Sequence, residues 1–311
     1  MATTTNITTT YAGEAAGQYI SAALLSASTI ENGGITVRPN VMQKEVIQRI
    51  DVDAIVKDAT CDFTPTSTVD LTERILTVEE AQVNLQLCKK DFVTTWEVAQ
   101  MGANSGEVPS SLADYMIGHI GSKVAQKIEQ NIWSGVAANQ GEFDGLAVQL
   151  AADAALPAAQ EIAAVGGGID SSNVAAQMAL VVAQIPSAVY GKEDLKLYVS
   201  KNVYKAYIEH LAGYAAAGVG ANGFENRGSN QRLVDLFFNG IPVFVAEGLT
   251  DNKMVAAQTS NLFFGTSLLS AMQEVKLLDM ADIDGSNNFR FVARFFQGCT
   301  YGVVEDIVLY A

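Results

Sequence analysis

Between Thr66 and Phe92 two extended segments alternate in polarity. In the later one, Val83, Leu85 and Leu87 fall on one side and Gln82, Asn84 and Gln86 on the other. That period of two marks a strand with one dry face and one wet face. The earlier segment, Thr68 to Val78, is rich in β-branched residues and carries Asp70, Glu73 and Arg74. Together they read as an extended two-stranded ribbon. Such a ribbon is marginal in water by itself. Its apolar face is therefore expected to find cover on a second copy of the chain, with Asp70, Glu73, Arg74, Val83, Leu85 and Leu87 as candidate contacts between copies.

The pattern changes period after Pro109. Leu112, Met116, Ile120, Val124, Ile128 and Ile132 recur every four residues, which predicts a helix ending near Ser134 before Gly135. Ser111 and Asp114 have capping-box spacing at its start. Further on, Ser172 to Tyr190 and Asn202 to Leu211 read as helices, and Lys196–Ser200 and Gly240–Ala246 as strands. The last fifty residues turn to β: Asn261–Gly265, Glu274–Leu278, Phe289–Phe295 and Ile307–Tyr310 are expected strands, with Asp284–Asn288 as a hairpin loop. Val41 to Ile55 fits a short helix or the entry to a strand. The first forty residues read as an arm. Six of the first ten are Thr, and Tyr19, Leu24 and Leu25 are apolar enough to dock on a neighbour.

Composition narrows the classes. With 49% hydrophobic and 17% charged residues in 311, the chain is globular and long enough for a sizeable core. No uncharged apolar run reaches the roughly 18 residues a membrane helix needs, so no membrane is expected. Met1 to Val37 hold no Lys or Arg, so no secretory leader is expected either. A net charge of −15 argues against a reader of nucleic acid, which would carry a basic stripe. It is compatible with a wall along which a packaged duplex slides. Three cysteines, Cys61, Cys88 and Cys299, are an odd and scattered set, which suits incidental thiols in a reducing compartment rather than a disulfide framework.

Catalytic and cofactor motifs are poorly supported. Gly218-Val-Gly-Ala-Asn-Gly223 matches a dinucleotide fingerprint in letters, yet no strand leads into it and no helix leads out. Asp282 and Asp284 before Gly285 lack the flanking ligands of a calcium loop. His119 and His210 have no partner at ligand spacing and read as structural. No catalytic residue, cofactor or metal is expected.

The order of parts (arm, ribbon, long helix, inserted α/β unit, closing strands) resembles the major capsid protein of tailed bacteriophages, the Hong Kong 97 (HK-97) fold, an α+β class. The resemblance is firmest where Gly240-Ile-Pro-Val-Phe-Val is followed by Asn261-Leu-Phe-Phe-Gly-Thr266, Glu274-Val-Lys-Leu, the strand from Phe289 and the closing Val303 to Tyr310. It implies an N-terminal arm at 1–45 and an extended loop with its lead-in at 46–98. It further implies a peripheral domain at 99–139 and 260–300, with a long spine helix, and an axial domain at 140–259 and 301–311. The implied function is self-assembly as hexamers and pentamers into an icosahedral virion shell around double-stranded DNA, formed in the host cytoplasm with a separate scaffolding protein and a portal. Phe295 and Phe296 stand where some members place a carboxylate that promotes a cross-link, so none is expected. An encapsulin-type shell shares the fold and stays open as an alternative, as does a small-molecule enzyme with a site assembled in space.

Overall fold

The strand Leu195–Val199 is buried along most of its length, with Leu197, Tyr198 and Val199 wholly shielded. A strand covered on both faces belongs at the middle of a sheet with layers on either side. The computed structural model describes residues 28–41, 43–52, 56, 58, 59, 61, 69–88, 110–212, 236–266, 275–280 and 285–311. The chain forms two compact units, one including Ala81–Ile128 and Ser270–Phe295, the other Ser28–Glu80, Glu129–Leu269 and Phe296–Ala311.

The strands, in chain order, are β1 (Thr36–Arg38), β2 (Lys44–Val52), β3 (Val69–Thr77), β4 (Glu79–Cys88), β5 (Glu161–Ile162), β6 (Leu195–Val199), β7 (Phe237–Phe238), β8 (Ile241–Val245), β9 (Met254–Gln258), β10 (Leu262–Thr266), β11 (Val275–Asp279), β12 (Asn288–Tyr301) and β13 (Val308–Tyr310). The helices are α1 (Ser28–Glu31), α2 (Ser110–Ser134), α3 (Leu146–Ala152), α4 (Val174–Ala183) and α5 (Lys201–Ala212).

In the second unit a mixed sheet has the order β5-β13-β9-β6-β8-β7. On one face Leu197, Val199, Met254, Ala256, Val308 and Tyr310 form a core with Met178 and Val181 of α4 and Val203 and Tyr207 of α5. Tyr198 points to the opposite face, where its ring lies 5.0 Å from Trp133 and 5.3 Å from Phe244. Helix α4 is shorter than Ser172 to Tyr190. It stops at Ala183 because Pro186 lies just ahead, and the residues before a proline are pushed out of helical conformation. Strand β9 was not anticipated: Met-Val-Ala-Ala-Gln is buried throughout, so it shows no alternation to read.

In the first unit β11 runs antiparallel to the first part of β12, from Val275 opposite Ala293 to Asp279 opposite Phe289. Met280 N donates to Asn288 O at 3.0 Å, and Gly285 takes a left-handed φ of 71° in the intervening loop. The expected hairpin is therefore present. Strand β4 also pairs with β12.

That pairing corrects the expected ribbon. The segments around Thr68–Val78 and Gln82–Leu87 do not pair with each other. Strand β3 pairs antiparallel with β2 over its whole length, from Lys44 opposite Thr77 to Val52 opposite Val69. The physical reason is the link between β3 and β4, a single residue, Val78. It holds none of the Gly, Asn or Asp that a tight hairpin turn demands.

The exit of this ribbon sits in a notch made of glycine. Gly265 of β10 and Gly298 of β12 face each other across their ladder. A Cβ on Gly298 would lie 2.2 Å from Thr77 O, and one on Gly265 would lie 2.9 Å from the Leu76 and Val78 side chains. Above this notch Leu76 and Val78 cluster with Val41, and Ile47 and Phe296 pack alongside. Gly298→Ala is expected to lift the Thr77 backbone and cost about 1–3 kcal/mol, read as a lower urea midpoint for the full chain. Ala at Gly166, whose Cβ meets nothing within 4 Å, is the control.

Candidate functional site: an exposed apolar ribbon

The register of β2 on β3 sorts their side chains onto two faces, because side chains alternate along each strand. One face carries Ile47, Arg49, Arg74 and Leu76 and lies against the rest of the second unit, to which the ribbon belongs. Leu76 is fully buried there. Arg74 is held twice: its Nη2 lies 2.9 Å from Asp153 Oδ2, and its guanidinium stacks 4.1 Å from the centre of the Tyr301 ring. Tyr301 donates its hydroxyl to the same Asp153 oxygen at 2.6 Å, and Ala155 N donates to Asp153 Oδ1 at 2.9 Å. Arg49 adds an exposed ion pair with Glu305 at 3.5 Å.

The opposite face has no such cover. Val46 is 48% exposed, Ile50 66%, Val69 63%, Leu71 60% and Ile75 48%. Val46 stands opposite Ile75 and Ile50 opposite Leu71, so these side chains form two apolar cross-strand pairs rather than scattered singles. Between them lies the polar pair Gln48 and Glu73. Isolated exposed apolar side chains are ordinary, whereas several exposed apolar side chains gathered on one face of a ribbon point to an interaction surface.

The candidate contact residues from the sequence are distributed as follows. Glu73 is exposed on the apolar face of the ribbon. Asp70 lies on β3 opposite Asp51 in the ladder, and its side chain is outside the described residues. Arg74 is on the opposite face, engaged within its own chain. Val83, Leu85 and Leu87 lie on β4 in the other unit, where Leu85 is 41% exposed and the other two are half-buried. Tyr19, Leu24 and Leu25 lie outside the described residues, as does the glycine-rich stretch Gly218–Gly228. Sequence reasoning named none of the five stripe residues as contacts: it placed Val69, Leu71 and Ile75 in a ribbon strand without singling them out, and missed Val46 and Ile50 altogether. The signal was present in Glu45-Val-Ile-Gln-Arg-Ile-Asp-Val52, where Val46, Ile50 and Val52 share one parity, but Ile47 on the other parity blurs it.

Other chemistry-bearing groups are engaged locally. His210 Nδ1 lies 2.8 Å from Ser171 O at the end of α5. Burial pushes the Cys299 thiol far above its ordinary range, while Cys61 is exposed and Cys88 half-buried. Among the described residues, no three His, Cys, Asp or Glu side chains converge as metal ligands. No helix among them is long and apolar enough to cross a membrane.

The clamp on Arg74 has a pH signature. The Tyr301 hydroxyl, then the Ala155 amide and Arg74 itself, hold the Asp153 carboxyl below its ordinary 3.8. A lowered carboxylate contributes stability above its unfolded pKa and loses it as pH falls through the folded value. Acid should therefore weaken the seat of the ribbon. In Tyr301→Phe, which removes the largest of these contributions, chemical denaturation at pH 7 and at about pH 3 should show a smaller loss of stability on acidification than in wild type.

No family model matches the chain, and no curated protein is similar to it in sequence. Solved structures are similar in fold. A chain from the capsid of an empty GTA particle is 11% identical with a TM-score of 0.58, over 100% of this chain and 94% of that one. One from Microbacterium phage Oxtober96 is 14% identical with a TM-score of 0.55, over 100% and 96%. One from the capsid of the Cyanophage P-SCSP1u is 10% identical with a TM-score of 0.56, over 100% and 91%. Taken over its full length, the chain has the α+β HK-97-like fold of phage capsid proteins.

Proposed function

We propose that this chain is a structural protein, the major subunit of an icosahedral shell that encloses double-stranded DNA. The observation that carries the proposal is the stripe of Val46, Ile50, Val69, Leu71 and Ile75, uncovered on a ribbon whose other face is tied down, in a chain with a capsid fold. The occupant of that stripe is a second copy of the chain. Burying each of these half-exposed side chains contributes about 1 kcal/mol, and the free stripe is an aggregation liability unless a partner takes it up.

In this reading the ribbon is the extended loop within 46–98, and it crosses onto a neighbour within hexamers and pentamers. Residues 1–45 are the arm, with Tyr19, Leu24 and Leu25 docking on an adjacent copy. The peripheral domain spans 99–139 and 260–300, and the axial domain 140–259 and 301–311. Glu73 supplies a polar contact between the two apolar pairs, Asp70 a further polar contact from β3, and Val83, Leu85 and Leu87 a second apolar contact from β4. Arg74 instead positions the ribbon from within its own subunit. Assembly takes place in the host cytoplasm with a separate scaffolding protein and a portal. DNA is enclosed without sequence preference by subunits that each carry a net charge of −15 and repel phosphate weakly.

Replacing Val46, Ile50, Leu71 and Ile75 together by Ser should leave a soluble protomer with an unchanged circular dichroism spectrum and no closed particles by negative-stain electron microscopy. Normal shells from this variant would remove the ribbon stripe from the account. Wild-type particles should contain nuclease-protected double-stranded DNA when recovered from infected cells. Particles filled with a cargo protein instead would move the assignment to a nanocompartment shell.

A further inference from the structure

The ladder that forms the glycine notch has a second face. Side chains alternate along β10 and β12, so Thr266 and Gln297, the rung next to Gly265 and Gly298, point away from the ribbon. The end of α2 lies on that side: Cys299 Sγ, two residues beyond Gln297 on the same face, donates to Ile132 O at 3.6 Å. Asn131, beside Ile132, donates its Nδ2 to Gly141 O at 3.0 Å. Gln297 Nε2 donates to the same oxygen at 3.4 Å. Two carboxamides from different elements thus end at one carbonyl, and that carbonyl fixes which end of each is nitrogen.

Asn131, Thr266 and Gln297 are 0%, 1% and 3% exposed. Asn131 Oδ1, Thr266 Oγ1 and Gln297 Oε1 have no hydrogen-bond partner among the described residues. A single buried polar atom of this kind is an occasional imperfection of packing. Three at one junction of helix, turn and sheet call for an occupant, because burial strips their hydration without replacing it.

The chemistry of the set selects that occupant. All three groups are neutral, and the carboxylates nearest along α2 and the following turn are engaged elsewhere. Glu129 accepts the Thr29 amide at 3.0 Å and the Thr29 hydroxyl at 2.6 Å. Glu142 accepts Val136 N at 3.0 Å and Asp144 accepts Ala137 N at 2.9 Å. A hard cation takes about six oxygen ligands, with carboxylates usually among them, so three neutral groups do not cage one. An apolar guest would leave all three unpaired. The two amide oxygens can only accept, whereas the hydroxyl can donate. A molecule that accepts one hydrogen bond and donates two satisfies the set, and water is the smallest that does. Three bonds is also the usual number for a buried water.

We propose that Asn131, Thr266 and Gln297 form a binding site for one internal water molecule, which bridges the end of α2 to the β10–β12 ladder directly behind the glycine notch. The water accepts from Thr266 Oγ1 and donates to Asn131 Oδ1 and Gln297 Oε1. Direct pairing does not do the same, since a Thr266 hydroxyl turned onto Gln297 Oε1 leaves Asn131 Oδ1 bare. Gly265 and Gly298 seat Thr77 on the opposite face, so the bridge braces the seat of the ribbon from behind. The site is complete within one subunit and does not depend on assembly.

An experimental structure of the full chain, at a resolution that shows ordered water, tests this. The expected result is a single peak about 2.6–3.2 Å from each of the three oxygens. No peak there, or a Thr266 hydroxyl bonded directly to Gln297, would overturn the site. So would a peak ringed by about six oxygens at about 2.3–2.6 Å, the signature of a cation. Thr266→Val keeps the shape of the side chain and removes the donor. In that variant the peak should lose occupancy. Hydrogen exchange of the Val78 amide, which donates to Gln43 O at 3.1 Å, should quicken by about threefold or more, while the Leu197 amide in the central strand keeps its wild-type rate. A peak at full occupancy in the variant, an unchanged Val78 rate, or a parallel loss at Leu197 would each overturn the bridge. The wild-type map decides the matter even where the variant fails to fold.

Discussion

A two-stranded antiparallel ribbon has two faces and, within one subunit, only one body to lie on. Strands β2 and β3 resolve this by assigning their chemistry unevenly. The inward face receives Leu76, Ile47 and the two arginines, each with a partner elsewhere in the second unit. The outward face receives Val46, Ile50, Val69, Leu71 and Ile75, which stay about half or more exposed. Since side chains alternate strictly along a strand, a one-residue slip in register would exchange the two faces entirely. The glycine notch prevents that slip: Thr77 fits against Gly298 only where no Cβ stands in its way. The backbone contact at the exit of the ribbon thus fixes which side chains, up to eight residues further along the strands, face outward.

Magnitudes indicate what kind of assembly such a stripe can support. Five half-exposed apolar side chains, at about 1 kcal/mol each, contribute about 5 kcal/mol when covered. Association of two bodies costs an estimated 4–15 kcal/mol before any contact is counted. One ribbon on one neighbour is therefore a weak contact by itself. It becomes effective when each subunit gives and receives several such contacts in a closed arrangement, so that the later contacts form at high effective concentration. Weak single contacts of this kind also allow misplaced subunits to leave before closure.

Much of the fold was legible in the sequence. The central strand Lys196–Ser200, the helix Asn202–Leu211, the long helix to Ser134 and the β12 hairpin carry their periodicity and punctuation locally. What could not be read is non-local. Whether β3 pairs with β2 or β4 depends on ladders formed across the chain, and alternation in β4 looks the same whether its partner is β3 or β12. Strand β9, built of small residues and shielded on both faces, shows no period at all. The notch at Gly265 and Gly298 is invisible because a glycine in a strand pattern says only that something comes close. Glu129 could have been found. It falls beside Ile132 and Trp133 at three- and four-residue spacing, on the side of the helix that is otherwise apolar, and a carboxyl in that position requires a partner.

The fold is matched over full length by chains only 10–14% identical, and the way these elements are held explains how that is possible. A core such as that around Met178, Leu197 and Tyr310 needs volume and pattern more than particular side chains, and hydrophobic residues of similar size can replace one another with modest cost. The features that tolerate less are backbone approaches and buried polar pairs: a glycine under a carbonyl, an arginine sandwiched between a carboxylate and a ring, a buried carboxyl bonded to Thr29. These depend on a few positions and leave the rest of the chain free to drift. The exposed stripe is constrained differently again, since in the proposed assembly any change on it must suit the surface of an identical copy as well as its own ladder. Interior drift and coupled change at the contact are together compatible with a shared architecture at identities too low for sequence comparison to detect.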